Sequence, residues 1–316
     1  MKETVPLLSP LLPPQLILMM ARRLGFGRQA LNFIITKIAS KDRKPKVFAG
    51  YEPAAHDVFV TCFSKSGTNW ALQLTEQIAH RGEAEFRHIH DVAPWPDGDF
   101  PGIIPLDDPG PRNRAPTGLR SIKTALEAEY VPYDPRAKYL CIARDPKEIS
   151  VSAYHFLTGI FGLREHISPQ QWYEMDLQPD SILGTWPDHM AGYWAWRDRP
   201  NVLVLIYPEM KNDLPGTVDK VAGLLGVELD EQQRAEVIRK CGFTYMKSRE
   251  SCFAPPRLPL LTGKNRGKMM RSGKSGKSSE FLSNEQRGEL DARMLARLKE
   301  LGSDFPYEEL FMASPA

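Results

Sequence analysis

Cysteine is scarce in this chain. Its 316 residues hold four, Cys62, Cys141, Cys241 and Cys252, with no C-x-x-C pair. That pattern excludes the common zinc motifs and a disulfide scaffold, and it fits a reducing, cytoplasmic compartment; no metal is expected. Cys62 and Cys141 lie in apolar runs, where small buried thiols are common, whereas Cys252 has polar neighbours and reads as the exposed one. Charge of one sign is missing too. Lys and Arg number 41 against 39 Asp and Glu, a formal net charge of +2, so no global basic field points to nucleic acid. Long hydrophobic runs are absent. Val5 to Ala21 is uncharged, but Pro6, Pro10, Pro13 and Pro14 interrupt it, and the proline-free stretch from Gln15 to Ala21 is too short to span a bilayer. Neither a basic front end nor a small-residue cleavage site marks a signal peptide. No internal repeat is visible.

What the chain does have is an alternation of strand and helix patterns. Apolar runs at Val58–Phe63, Leu119–Thr124, Tyr139–Ala143 and Val202–Tyr207 read as strands. Helical periodicity appears at Val218, Val221 and Leu225, over Glu231–Arg239, and at Leu290, Met294, Leu298 and Leu301. Such alternation predicts a single α/β domain with a central, mostly parallel sheet flanked by helices. The hydrophobic share of 42% is ample for its core. Glu83 to Pro116 is rich in Pro, Gly and Asp and predicts a long irregular loop of the kind that lines sites. Ahead of the domain, Leu16–Met20, Leu31, Phe33, Ile34, Ile35 and Ile38 are interspersed with Arg22, Arg23, Arg28, Lys37 and Lys41. Two readings follow. Residues 15–41 form a basic amphipathic contact with a membrane surface, or they form a helical pair packed on the domain or on a partner, a second copy of the chain included. The second is favoured.

The chemistry begins at Cys62-Phe63-Ser64-Lys65-Ser66-Gly67-Thr68-Asn69-Trp70. An apolar strand leads in, and Trp70, Leu74 and Ile78 share one face of a following helix. Strand, short Gly/Ser/Lys loop and helix make a P-loop-like phosphate site. The helix N-terminus offers unpaired N–H groups and partial positive charge. Gly67 permits close backbone approach, Lys65 adds a full charge, and Ser66 and Thr68 add hydroxyls. The usual triphosphate loop, G-x-x-x-x-G-K-[ST], is not present here, because the Lys precedes the Gly. A second segment runs from Tyr139 to Phe156. Asp145 can cap its helix, Pro146 suits the first helical position, and Glu148 can complete a capping box. Arg144 then sits at a strand's C-terminal end, where open α/β sheets bind ligands.

The order K-S-G-T-x-W after an apolar strand resembles the 5′-phosphosulfate loop of the cytosolic-type sulfotransferases. Those enzymes use 3′-phosphoadenosine 5′-phosphosulfate (PAPS) as donor and release 3′-phosphoadenosine 5′-phosphate (PAP). Arg144 and Ser152, eight positions apart, fit the family's 3′-phosphate segment. The Trp186-Pro187-Asp188-His189 region and the strand before Tyr207 resemble the family's next elements, and Tyr207 falls where the family has a nucleotide-contacting Tyr. Cys241–Lys247 resembles the segment that packs on adenine, with Phe243 and Met246 in the matching places. Arg266–Gly273 resembles the basic loop that closes on the 3′-phosphate, with Arg271-Ser272-Gly273 where the family reads Arg-Lys-Gly. Residues 264 to 277 carry six Lys or Arg and no acid, which reads as a mobile cationic flap. The likeness spans residues 45–311, leaving 1–44 as an N-terminal helical, apolar extension and 312–316 as a tail. It implies sulfuryl transfer to a small-molecule hydroxyl acceptor (phenol, alcohol or lipid), or to an amine.

One departure bears on catalysis. The family reads Lys-Thr-His after its second strand, and that His removes the acceptor's proton. Here the residues are Lys123-Thr124-Ala125. Lys123 can still stabilise the sulfuryl group, and Lys65 the bridging oxygen. Three explanations stand. A relocated base serves, with His90 foremost, Asp91 orienting it, His88 beside it and Glu127 a weaker candidate; a turn-capping role competes for His90 and Asp91. Alternatively Ala125 is a deliberate His→Ala change, or the chain binds PAP and PAPS without turnover. A small-molecule kinase of the same broad fold is a further alternative, disfavoured by the loop order.

Overall fold

The computed structural model describes residues 14–38, 43–98, 102–178, 181, 183–254, 269–270 and 278–312. Strands β1 (Asp57–Thr61), β2 (Arg120–Thr124), β3 (Lys138–Ala143) and β4 (Val202–Ile206) form one sheet in the order β2-β1-β3-β4. Every pairing is parallel. The four apolar runs are thus the four strands, shifted by a residue or two at their ends. Cys62 and Phe63 leave the sheet to begin a loop. Tyr207 opens a helix (Tyr207–Asn212) instead of ending a strand, because Pro208 presets helical φ and has no N–H for a ladder.

Strand alternation sends side chains to two cores. Val58, Val60, Leu140 and Ile142 meet Leu72, Leu74 and Ile78 of the Thr68–Ala79 helix and Val218 and Val221 of the Leu214–Leu225 helix. On the other face Cys141 and Ala143 meet Trp186, Met190 and Tyr193 of the Trp186–Trp194 helix and Leu290 and Met294 of the Asn284–Glu300 helix. Phe59 stacks on Tyr139 there, ring centroids 5.1 Å apart. Both faces are covered, so the strands read as near-continuous apolar runs.

The N-terminal helices Pro14–Leu24 and Gly27–Ile38 pack on the domain through Leu18, Ala21, Ala30 and Leu31, against Tyr154, Leu163 and Trp172. Their far side leaves Met20, Leu24 and Phe26 exposed. No helix among the described residues is long and apolar enough to cross a membrane. Two local expectations need correction. Cys252 is buried like the other three cysteines, because Phe86 and Phe253 close over it in the first core. Glu148 does not complete a capping box. Asp145 alone caps the Pro146–Ile160 helix, through the Lys147 amide at 2.8 Å, while Glu148 accepts from the Ser278 amide at 2.8 Å.

The opposite end of the sheet is fastened by a buried ion pair. Arg120 Nε donates to Asp57 Oδ1 at 2.8 Å, and Tyr51 and the Ala54 amide donate to Asp57 Oδ2 at 2.7 and 2.8 Å. Asp57→Ala would leave the Arg120 guanidinium buried without its counter-ion. We expect a loss of about 3–5 kcal/mol in urea unfolding; a loss below about 1 kcal/mol would mean that the pair behaves as a solvated one.

Candidate active site

All four strands end at the same sheet edge, so the loops after them converge. β1 lies between β2 and β3, which makes the loop after β1 the topological switch point. That loop holds the K-S-G-T run. It turns sharply, with Lys65 at φ 64° and Gly67 at φ 100°. Positive φ is rare at a residue with a side chain and marks a position held by its surroundings. Gly67 ends the loop by taking the first helical bonds: its carbonyl accepts from the Trp70 and Ala71 amides at 2.8 and 3.0 Å. No side chain caps this helix, so its leading amides are available to an anion. Ser66 is fully buried, and its Oγ has no hydrogen-bond partner among the described residues. A buried orphaned hydroxyl beside a helix N-terminus is what an anion subsite requires.

Three cations surround this loop from three strand ends. Arg144, just past β3, donates from Nη1 to the Lys65 carbonyl at 2.7 Å and lays its guanidinium 4.5 Å from the Tyr207 ring centroid. Its Nη2 lies 3.9 Å from Glu148 Oε2. Lys65 places its ammonium 3.7 Å from the centre of the Phe156 ring. Glu148, Ser152 and Phe156 are spaced four apart on one helix, so Ser152 shares the face that meets Arg144 and Lys65. Lys123, near the end of β2, sits 3.4 Å above the Trp95 ring. Burial, then Arg144 and Lys123, push the Lys65 ammonium down to about 7. Burial pushes Lys123 down to about 8, with Asp97 pulling the other way.

A flank of aromatic groups continues from the loop. Trp70 contacts Tyr207 edge to face at 5.8 Å and donates its indole N–H to the Cys241 carbonyl at 2.9 Å. Asn69 reaches the Phe253 carbonyl at 3.3 Å. Met246 is buried beside this pair, while Phe243 stays 44% exposed and thereby open to stacking. Thr68 is the first residue of the helix and half-buried. Arg271, Ser272 and Gly273 lie outside the described residues, as do Lys268, Lys274 and Lys277.

The surroundings of Ala125 differ from expectation. Asp91 does not orient His90: its carboxylate accepts from the His88 amide at 3.1 Å, and with His88 it forms the capping box of a short helical turn. His90 Nδ1 lies 3.0 Å from the Ala93 carbonyl, and the ring stacks on Trp95 with centroids 5.5 Å apart. Burial and nearby Lys123 push His90 down to about 3, so it is neutral and a weak proton acceptor. His88 is engaged by the Ala254 carbonyl at 2.8 Å. β2 ends at Thr124, so Glu127 does not extend its face; it pairs with Lys44 at 2.6 Å. The sequence reading passed over Trp95 and Asp97. Asp97 Oδ2 accepts the Ala125 amide at 2.9 Å. In the sequence both belong to a Trp-Pro-Asp-Gly turn with no periodicity, and only the turn residues were a signal.

An α/β sheet with a helix-capped Gly loop and three converging cations at its switch point defines a P-loop-like protein built for phosphate-type anions. More narrowly, the chain belongs to the sulfotransferase-domain family, whose model matches residues 55–302. It is 26% identical over 293 residues to sulfotransferase 2A1 of Macaca fascicularis, covering 90% of this chain and 95% of that protein. Among solved structures it resembles a retinol dehydratase crystallised with androsterone and the inactive cofactor PAP (TM-score 0.69, 21% identity, 85% and 87% of the two chains). It also resembles mouse sulfotransferase SULT7A1 complexed with PAP (TM-score 0.61, 22% identity, 84% and 93% covered).

Gly67 is sterically constrained at the turn of the loop after β1. A Cβ there would lie 3.0 Å from Tyr207 Cε2, at a φ that side chains resist. Gly67→Ala should cost about 1–3 kcal/mol in urea unfolding. Unchanged stability would show that the loop relaxes freely away from Tyr207.

Proposed function

We propose that this chain moves a sulfuryl group from PAPS to the hydroxyl of a small phenol, alcohol or lipid, with an amine as the lesser alternative. The observation that carries this reading is the bare helix N-terminus and buried Ser66 hydroxyl of the loop whose Lys65 carbonyl Arg144 holds and whose Lys65 feels the Arg144 and Lys123 charges. The relatives' names and the PAP found with two structural neighbours point the same way. In this reading Ser66, Gly67, Thr68 and Asn69 hold the 5′ end of the nucleotide. Arg144 and Ser152 take the 3′-phosphate, joined by Arg271-Ser272-Gly273. Trp70, Tyr207, Phe243 and Met246 flank the base. Lys65 neutralises the bridging oxygen and Lys123 the transferring group. Positioning and fixed charge do most of the work, as in phosphoryl transfer. The loop does not favour a kinase: it lacks a Gly-Lys pair followed by a hydroxyl that would hold a metal.

Arg144→Ala separates the two phosphates. The lost contact to the Lys65 carbonyl weakens all nucleotides, but the lost 3′ contact weakens only PAP. Calorimetry should show PAP losing roughly 1.5–3 kcal/mol more than adenosine 5′-phosphate. Equal losses would remove the 3′-phosphate assignment. Transfer itself is tested with labelled PAPS against a panel of phenols, alcohols and amines. No labelled product with any of them would defeat the transferase reading.

Lys65 gives a pH signature. Its ammonium is held near 7, and an anion bound against it raises that value. The protonated form is therefore favoured on binding, and protons are taken up at pH 7 to 8. The PAP binding enthalpy at pH 7.5 should change with buffer ionisation enthalpy, and the dependence should vanish in Lys65→Met. A buffer-independent enthalpy in the unaltered chain would exclude Lys65 from the phosphate site.

A further inference from the structure

The irregular segment between the Thr68–Ala79 helix and β2 delivers one carboxylate to the reacting end of the sheet. Residues 94–98 lie along the end of β2: the Lys123 amide donates to the Pro94 carbonyl at 2.9 Å, and the Ala125 amide to Asp97 Oδ2 at 2.9 Å. The turn is closed by the Gly98 amide on the Trp95 carbonyl at 3.0 Å. Only glycine fits at 98, because a Cβ would stand 2.3 Å from the folded-back Trp95 indole. That indole in turn carries the Lys123 ammonium on its face. Asp97 is therefore fixed by two backbone anchors beside Lys123. One of its oxygens is used. The other, Oδ1, is buried; the Trp95 indole acts on the carboxyl but closes no hydrogen bond of ordinary geometry to this oxygen among the described residues. A buried carboxylate oxygen left unpaired is costly unless a ligand uses it.

Building on the sulfotransferase reading above, we propose that Asp97 is the proton acceptor of the transfer reaction, the role that no side chain at position 125 can fill. The acceptor's oxygen bonds to sulfur as the bond between sulfur and the bridging phosphate oxygen breaks. The hydroxyl proton passes to Asp97 Oδ1, and the electron pair of the broken bond stays on the departing phosphate beside Lys65 and Lys123. Burial raises the Asp97 carboxyl above its ordinary range, while the Ala125 amide, the Trp95 indole and Lys123 hold it back. A raised carboxyl is a better base. The other titratable groups near it do not compete. Tyr193, from the Trp186–Trp194 helix, is pushed well above the ordinary phenol range and stays neutral, and His90 lies behind Trp95.

Asp97→Asn keeps the shape and the oxygen that accepts the Ala125 amide. Turnover with an alcohol acceptor should fall at least about a hundredfold, and less with an acidic phenol that needs little proton removal. PAP affinity by calorimetry should stay within about threefold of the parent's. The acid limb of the kcat profile, where activity falls as pH falls and Asp97 protonates, should disappear in Asp97→Asn and persist in Asp97→Glu. Difference infrared spectra of the parent against Asp97→Asn should reveal one carboxyl titrating above the ordinary Asp range. Ala125→His added to Asp97→Asn should restore turnover. Parent-like turnover by Asp97→Asn, with PAP binding intact, would overturn the Asp97 assignment alone. Failure of the unaltered chain to transfer to any acceptor while binding PAP would overturn the transferase reading and the assignment with it.

Discussion

Lys65, Lys123 and Arg144 are three like charges gathered at one edge of a parallel sheet, and much of the surrounding structure serves to hold them there. Burial depresses both lysines, to about 7 and about 8, and the Arg144 and Lys123 charges add to the fall at Lys65. The opposing contacts are local and specific. Lys65 lies over Phe156, Lys123 over Trp95, and Arg144 over Tyr207. Cation–π contacts of this kind contribute about 0.5–2 kcal/mol each. The cores on both sheet faces lie away from the edge and supply the stability that lets the edge stay electrostatically unsatisfied. Preorganised charge of this sort costs no reorganisation when an anion arrives.

Arg144 links the two halves of the site. Its guanidinium holds the Lys65 carbonyl, so the residue after β3 braces the left-handed turn of the loop after β1. The adjacency of β1 and β3 in the sheet makes that bond possible. A second chain of contacts runs from Gly67 to Tyr207, from Tyr207 to Trp70, and from Trp70 to the Cys241 carbonyl. It ties the loop after β1 to the Tyr207–Asn212 and Glu231–Cys241 helices. A change at Arg144 or in the loop after β1 therefore propagates to the other through backbone geometry as well as through charge.

Position 125 lacks a side chain that could take a proton, and the proposed acceptor lies on a neighbouring segment. The end of β2 retains Lys123, and the backbone amide of Ala125 anchors a carboxylate that comes from 28 residues earlier. His90 was the natural candidate in the sequence, because an isolated imidazole suits proton removal near neutral pH. Packing against Trp95 and the Ala93 carbonyl instead makes it a neutral, weakly basic part of the wall.

The anion loop and the four strands were legible in the amino-acid sequence by itself, because each is contiguous and local. An apolar run declares a strand covered on both faces, and Gly67 beside Lys65 declares a turn that only a helix start can complete. The likeness to sulfotransferases rested on the same contiguous stretches. Tertiary structure alone decided the rest. Glu148 left its expected cap because Ser278, 130 residues away, offered its amide. Cys252 lost its exposure to two phenylalanines, and Asp97 met Ala125 across an aperiodic segment. Such contacts depend on how distant elements pack, and a side chain's burial, pairing and proton affinity follow from that packing. Residue type and local spacing carry no record of it.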